Sequence, residues 1–98
     1  MIEVRETDEF STWLASLRDS RARAQILVRV SRLANGNPGD VAPVGQGISE
    51  MRINYGPGYR VYYVRRGKQY VLLLAGGDKS TQTKDITKAK RLVAKYED

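Results

Sequence analysis

Three basic side chains in the second half of the chain, Arg52, Arg60 and Lys79, stand where a strand pattern can aim them at one place, and their chemistry is that of a phosphate site. Arginine is permanently charged and presents a planar fork of donors that matches phosphate geometry; lysine adds a compact positive charge. Arg52 alternates with Asn54 and Arg60 with Tyr62, so each pair shares one face of its strand. The run Gly76-Gly77-Asp78-Lys79 then brings a carboxylate and an amine to the end of a third strand. Convergence of Arg52, Arg60 and Lys79 on a phosphate is the expectation. Chemistry of other kinds lacks its residues. The chain has no cysteine and no histidine, which removes the thiolate nucleophile, the usual general base and the usual zinc ligands. It also has no phosphate-binding P-loop, no dinucleotide-binding glycine pattern and no nucleophile elbow. No metal and no cofactor is expected.

The elements that must position these residues follow from periodicity. Three strands are expected at Glu50 to Tyr55, Gly58 to Arg65 and Gln69 to Ala75, joined by Tyr55-Gly56-Pro57-Gly58 and Arg66-Gly67-Lys68. Met51, Ile53 and Tyr55 share one face opposite Arg52 and Asn54, and Val61 and Tyr63 lie opposite Arg60 and Tyr62, with Arg60 expected outward on a half-exposed face. Tyr70 to Ala75 is apolar on both faces, which marks an inner strand. The pair Gly76-Gly77 reads as a strand end or bulge, or as a close approach of backbone to phosphate. Asp78 can cap the turn that follows.

Upstream, Met1 to Glu6 alternates as a short strand and Thr7 or Asp8 caps a helix with Phe10, Trp13, Leu14 and Leu17 in one apolar stripe. Trp13 is read as core, with base stacking the lesser alternative. A second helix runs to about Ala34, placing Ala22, Ile26, Val30 and Leu33 inward and Arg21, Arg23, Arg29 and Arg32 mostly outward; spacing leaves open whether those arginines meet nucleic acid or water. Gly36 to Ser49, rich in glycine and proline, reads as a loop. A last helix, capped by Ser80, Thr81 or Thr83, carries Ile86, Ala89, Val93 and Tyr96 on its apolar side and Lys84, Lys88, Lys90, Arg91 and Lys95 elsewhere. The expected fold class is α+β in the order β-α-α-β-β-β-α: a mainly antiparallel four-stranded sheet packed against a helical hairpin, with the C-terminal helix at the sheet edge or across its other side.

With 98 residues the chain is expected to form one domain over its whole length. Seventeen Lys and Arg against eleven Asp and Glu give a formal charge of +6, which favours a polyanionic partner. The N-terminus has neither a basic leader nor an apolar run, and no window approaches the length of a membrane span, so a cytoplasmic protein without membrane contact is expected.

Several stretches together resemble the RelE/ParE toxin superfamily: Glu50-Met51-Arg52-Ile53, Gly58-Tyr59-Arg60-Val61-Tyr62-Tyr63, Leu73-Leu74-Ala75-Gly76-Gly77-Asp78-Lys79-Ser80-Thr81-Gln82, and Asp85-Ile86 with Ala89. The branch they look most like is the HigB-like addiction module killer proteins. The resemblance implies a RelE-like fold and the toxin of a type II toxin–antitoxin system, a metal-independent endoribonuclease that cuts mRNA on the ribosome. It also implies a cognate antitoxin, a helix-turn-helix protein encoded next to it, with the toxin a monomer inside the hetero-oligomer. By this resemblance Arg60 is the strand arginine on the scissile phosphate, Arg52 a basic neighbour and Lys79 a basic catalytic residue, with Asn54, Tyr62, Asp78, Lys84 and Asp85 contacting RNA. Where some members carry a histidine or tyrosine as acid or base, this chain offers Asp78, Lys79 and Asp85, and Asn54 replaces a second strand lysine. A ParE-like inhibitor of DNA gyrase on the same fold, and a non-catalytic basic RNA-binding module, are the alternatives.

Overall fold

The computed structural model describes residues 1–96. Its elements are β1 (Glu3–Glu6), α1 (Asp8–Ser16), α2 (Ser20–Ala34), β2 (Val41–Gly45), β3 (Ile48–Ile53), β4 (Tyr59–Arg66), β5 (Tyr70–Asp78), a 3-10 turn (Lys79–Thr81) and α3 (Gln82–Lys95). Five strands form one sheet in the order β1-β5-β4-β3-β2. The three central strands pair antiparallel, as their short turns require, whereas the N-terminal β1 lies parallel beside β5, and the two helices that follow it carry the chain to β2 at the opposite edge.

The helical hairpin forms for local reasons. The Thr7 hydroxyl caps α1 by accepting from Phe10 N, and the Asp19 carboxylate caps α2 by accepting from Arg21 N and Ala22 N. Phe10, Ile26, Val30 and Leu33 bury their stripe against Met51, Ile53, Val61, Tyr63, Val71 and Leu73 on one sheet face. On the other face Ala89, Leu92 and Val93 of α3 cover Ile48, Tyr62, Val64, Leu72, Leu74 and Ala75. Of the two expected positions for the last helix, the one across the sheet is found. Tyr96 is not on its apolar side; Leu92 takes that place, and Tyr96 follows the helix as an exposed residue.

The expected four strands become five because Val41–Gly45, read as loop, is an edge strand paired with β3. Pro43 disguised it: proline cannot donate to a ladder, but an edge strand has one side that needs no donor. A tight turn follows, with Gln46 in the left-handed region at φ 55°. As a result β3 starts earlier than expected, at Ile48, and β5 runs on through Gly76, Gly77 and Asp78. Two of the supposedly outward arginines of α2 are structural. Arg29 donates to the carbonyls of Arg52, Pro38 and Asp40, tying the hairpin to β2 and β3, and Arg23 donates to Leu17 O.

Candidate functional site: an arginine pair around a buried carboxylate

Register puts Arg52 directly opposite Arg60, Glu50 opposite Tyr62, and Arg60 opposite Gly77. Cross-strand partners share a face, so all of these point to the α3 side. At their centre is Glu50, only 2% exposed. Its Oε1 lies 3.3 Å from Arg52 Nε and 3.7 Å from Arg60 Nη1. Its Oε2 accepts from the Tyr62 hydroxyl at 3.0 Å and from Gln82 Nε2 at 2.8 Å. A buried carboxylate is stable only when its lone pairs are satisfied, and here three hydrogen-bond donors and the charge of Arg60 converge on two oxygens.

The electrostatics follow from that packing. Burial pushes the Glu50 carboxyl up, but hydrogen bonds from Gln82, Tyr62 and Arg52, together with the charge of Arg60, outweigh it and hold the group below the ordinary glutamate value. Glu50 is therefore an anion at neutral pH and a poor proton acceptor. Burial, the hydrogen bond to Glu50 and the negative charges of Glu50 and Asp85 push the Tyr62 phenol well above its usual range, so it remains a neutral donor. Arg60 is corrected from a half-exposed residue to a largely buried one, its side chain 13% exposed against 43% for Arg52. Its Nε is buried without a hydrogen-bond partner. Arg52 Nη1 also lies 3.5 Å from Asp40 Oδ1, so two arginines meet two carboxylates, of which Glu50 is buried and Asp40 exposed to solvent.

The remaining residues expected at the site fall into two groups. Asp85 is buried on α3 and accepts from the Thr81 hydroxyl, directly above Gly77. A Cβ at Gly77 would lie 1.7 Å from Asp85 Oδ2, so this glycine exists to admit a carboxylate from the protein itself. Its neighbour Gly76 serves the opposite face, where a Cβ would lie 2.2 Å from the Trp13 ring. Neither glycine ends the strand, and the adjoining bulge falls earlier: Tyr62 pairs with Ala75 and Tyr63 with Leu73, leaving Leu74 extra. Lys79 and Asn54 are exposed, Lys79 packing its Cβ beside Gly58. Asp78 caps the 3-10 turn by accepting from Ser80 N, and Lys84 is exposed on α3.

Sequence reasoning missed Glu50 and Gln82. The signal for Glu50 was present, since Glu50, Arg52 and Asn54 alternate on one face. Nothing local in the sequence brings Gln82 over that carboxylate.

Comparison with known proteins agrees with this architecture. A model of the family described as phage derived protein Gp49-like matches residues 12–94. An uncharacterised protein of Haemophilus influenzae is 50% identical over 91 residues, spanning 93% of this chain and 92% of that protein. The solution structure of the conserved hypothetical protein HP0894 from Helicobacter pylori superposes with a TM-score of 0.51 over 82% of this chain and 97% of the other, at 21% identity. That last likeness is one of fold, and the fold is RelE-like. The chain belongs to the Gp49-like family of phage-derived proteins, a family related to toxin–antitoxin systems.

Proposed function

We propose that this protein is a HigB-like toxin of a type II toxin–antitoxin pair that cuts mRNA on the ribosome in the cytoplasm and is silenced by a helix-turn-helix antitoxin. The observation that carries the reading is the in-register pair Arg52 and Arg60 held by the buried Glu50; Arg52, half exposed and otherwise paired with the solvent-exposed Asp40, is the guanidinium a phosphodiester can engage.

The reaction needs no metal. The RNA 2′-hydroxyl loses its proton, its oxygen bonds to phosphorus, the bond from phosphorus to the 5′-oxygen breaks, and that oxygen takes up a proton. The products are a 2′,3′-cyclic phosphate and a 5′-hydroxyl. Arg52 and Arg60 stabilise the charge that gathers on the phosphoryl oxygens, and Glu50 fixes their guanidinium planes. In this reading Asp85 accepts the proton, a role its position above Gly77, the residue opposite Arg60, supports, and Lys79 after the last strand supplies one to the leaving oxygen. Ribosomal positioning of the message provides the remaining orientation.

The test is expression of the chain alone in bacteria, with primer extension on a translated message. Cuts that disappear when ribosomes are excluded are expected. Intact messages accompanied by DNA double-strand breaks would assign the chain to gyrase and sink the nuclease reading.

A further inference from the structure

The outer edge of β5 changes character halfway along. β1 pairs with it only from Tyr70 to Leu73, and the next carbonyl, Leu74 O, is taken by the Thr7 hydroxyl at 2.7 Å. Among the described residues no strand lies on that side from Ala75 to Asp78. A cleft of about 270 Å³ opens there between α1 and α3, bounded by Trp13 and Glu9 on one side and by Lys84, Asp85 and Lys88 on the other. A second hollow of about 360 Å³ shares Glu9, Trp13 and Lys88 and continues it. Asp85 forms the partition: it lines this cleft and also covers Gly77, the residue opposite Arg60.

We propose that this cleft is a subsite for one nucleotide of the RNA, beside the arginine pair; the inference rests on the reading of the chain as acting on RNA. Trp13 is the apolar wall for the base, since an aromatic ring accepts any nucleobase at its surface. Glu9 Oε1, buried and without a hydrogen-bond partner, is the acceptor for an N–H on the base edge. Lys84 and Lys88, one turn apart on α3, hold the adjoining phosphate. The cleft also holds Asp78 and Asp85, and Asp8 lines the adjoining hollow; Asp78 accepts from Ser80 and Asp85 from Thr81, neutral donors that leave both charges in place, so the phosphate contact rests on Lys84 and Lys88 alone. A peptide strand could pair with the same backbone edge. An indole, two ammonium groups and an unfilled acceptor, however, match base, phosphate and base edge one for one.

Trp13 is the sole tryptophan of the chain, so its emission reports on the cleft directly. Titration with the four nucleoside 5′-monophosphates is expected to quench it saturably, while ribose 5-phosphate does not. Lys84→Ala with Lys88→Ala is expected to weaken binding at least fivefold, against no change for the charge-matched control Lys68→Ala with Lys95→Ala. Glu9→Leu, which removes the acceptor, is expected to weaken the nucleotides with the melting temperature held. Equal quenching by ribose 5-phosphate would reduce the cleft to an anion site, and quenching by an extended peptide alone would assign it to a protein partner; either result, or no quenching, overturns the proposal. Ribosome-dependent cuts that persist unaltered in the Lys84, Lys88 variant would sink this inference and leave the nuclease reading standing. Nucleotide binding without any cuts by the wild type would do the reverse.

Discussion

Arg52 and Arg60 face each other as direct partners across β3 and β4, two positive charges in a position where an antiparallel sheet ordinarily loses stability. Glu50, one pair further along on the same face, is what makes the arrangement tolerable. Scaffold and site are therefore coupled: the group that holds the arginines in place also determines how much charge remains for a ligand.

Removing that carboxylate while keeping its shape isolates the effect. Glu50→Gln takes the carboxylate from the largely buried Arg60, while Arg52 keeps Asp40, and is expected to cost about 2 kcal/mol of stability. Urea unfolding at neutral pH measures it. A variant as stable as wild type would mean that water and solvent ions, not Glu50, screen the pair.

The same contacts set an acid limit. Because the folded protein holds Glu50 below its ordinary value of 4.5, the carboxylate contributes stability that is complete above that pH and is lost as pH falls below it toward the folded value. Asp19, lowered by the hydrogen bond from the Tyr55 hydroxyl, acts in the same direction but only below its ordinary value of 3.8. Melting temperature against pH should decline below about 4.5, and more shallowly in Glu50→Gln. Tyr62 has the opposite sign: its phenol is raised, so its share of stability is present below pH 10 and lost above it. Tyr62→Phe should flatten that alkaline limb.

Arg60 can be altered without discarding its charge. Arg60→Lys keeps a cation near Glu50 but loses the forked donor, so the fold is expected to survive with a loss of about 1 kcal/mol while cleavage falls at least tenfold. Arg60→Ala is expected to lose cleavage and about 2 kcal/mol of stability together, since it abandons a buried carboxylate. If Arg60→Lys cleaves at the wild-type rate, the fork is not what holds the phosphate.

The two adjacent glycines should respond differently. Gly76→Ala drives a methyl into the rigid Trp13 indole, itself packed on Phe10 and Tyr59 at centroid distances of 5.8 and 6.2 Å, and is expected to cost about 3 kcal/mol or more. Gly77→Ala meets the Asp85 carboxylate instead. Its cost should be largely recovered in the double variant with Asp85→Ala, a coupling of about 1 kcal/mol or more in a double-mutant cycle. Additive effects would show that Asp85 does not rest on Gly77.

What the sequence determined by itself is whatever depends on near neighbours. Period-two alternation put Arg52 and Arg60 on one face, the apolar stripe of Phe10 and Ile26 defined the hairpin's inner side, and Gly58 marked a turn by its need for a positive φ, found at 80°. Tertiary structure decided the rest, and the bulge at Leu74 shows why. With strict alternation Gly76 would share the face of Leu74; the extra residue gives that face to Ala75 instead and brings Gly77 under α3, opposite Arg60. That step depends on how β5 pairs with β4 and on Thr7 holding Leu74 O from 67 residues away. The same holds for Glu50, whose burial needs Tyr62 and Gln82 from two other elements, and for Trp13, whose seat on Gly76 lies 63 positions along the chain. Alternation and capping are local and survive in any context, whereas register, bulges and the side chain that fills a glycine's space are fixed only when distant segments compete for the same volume.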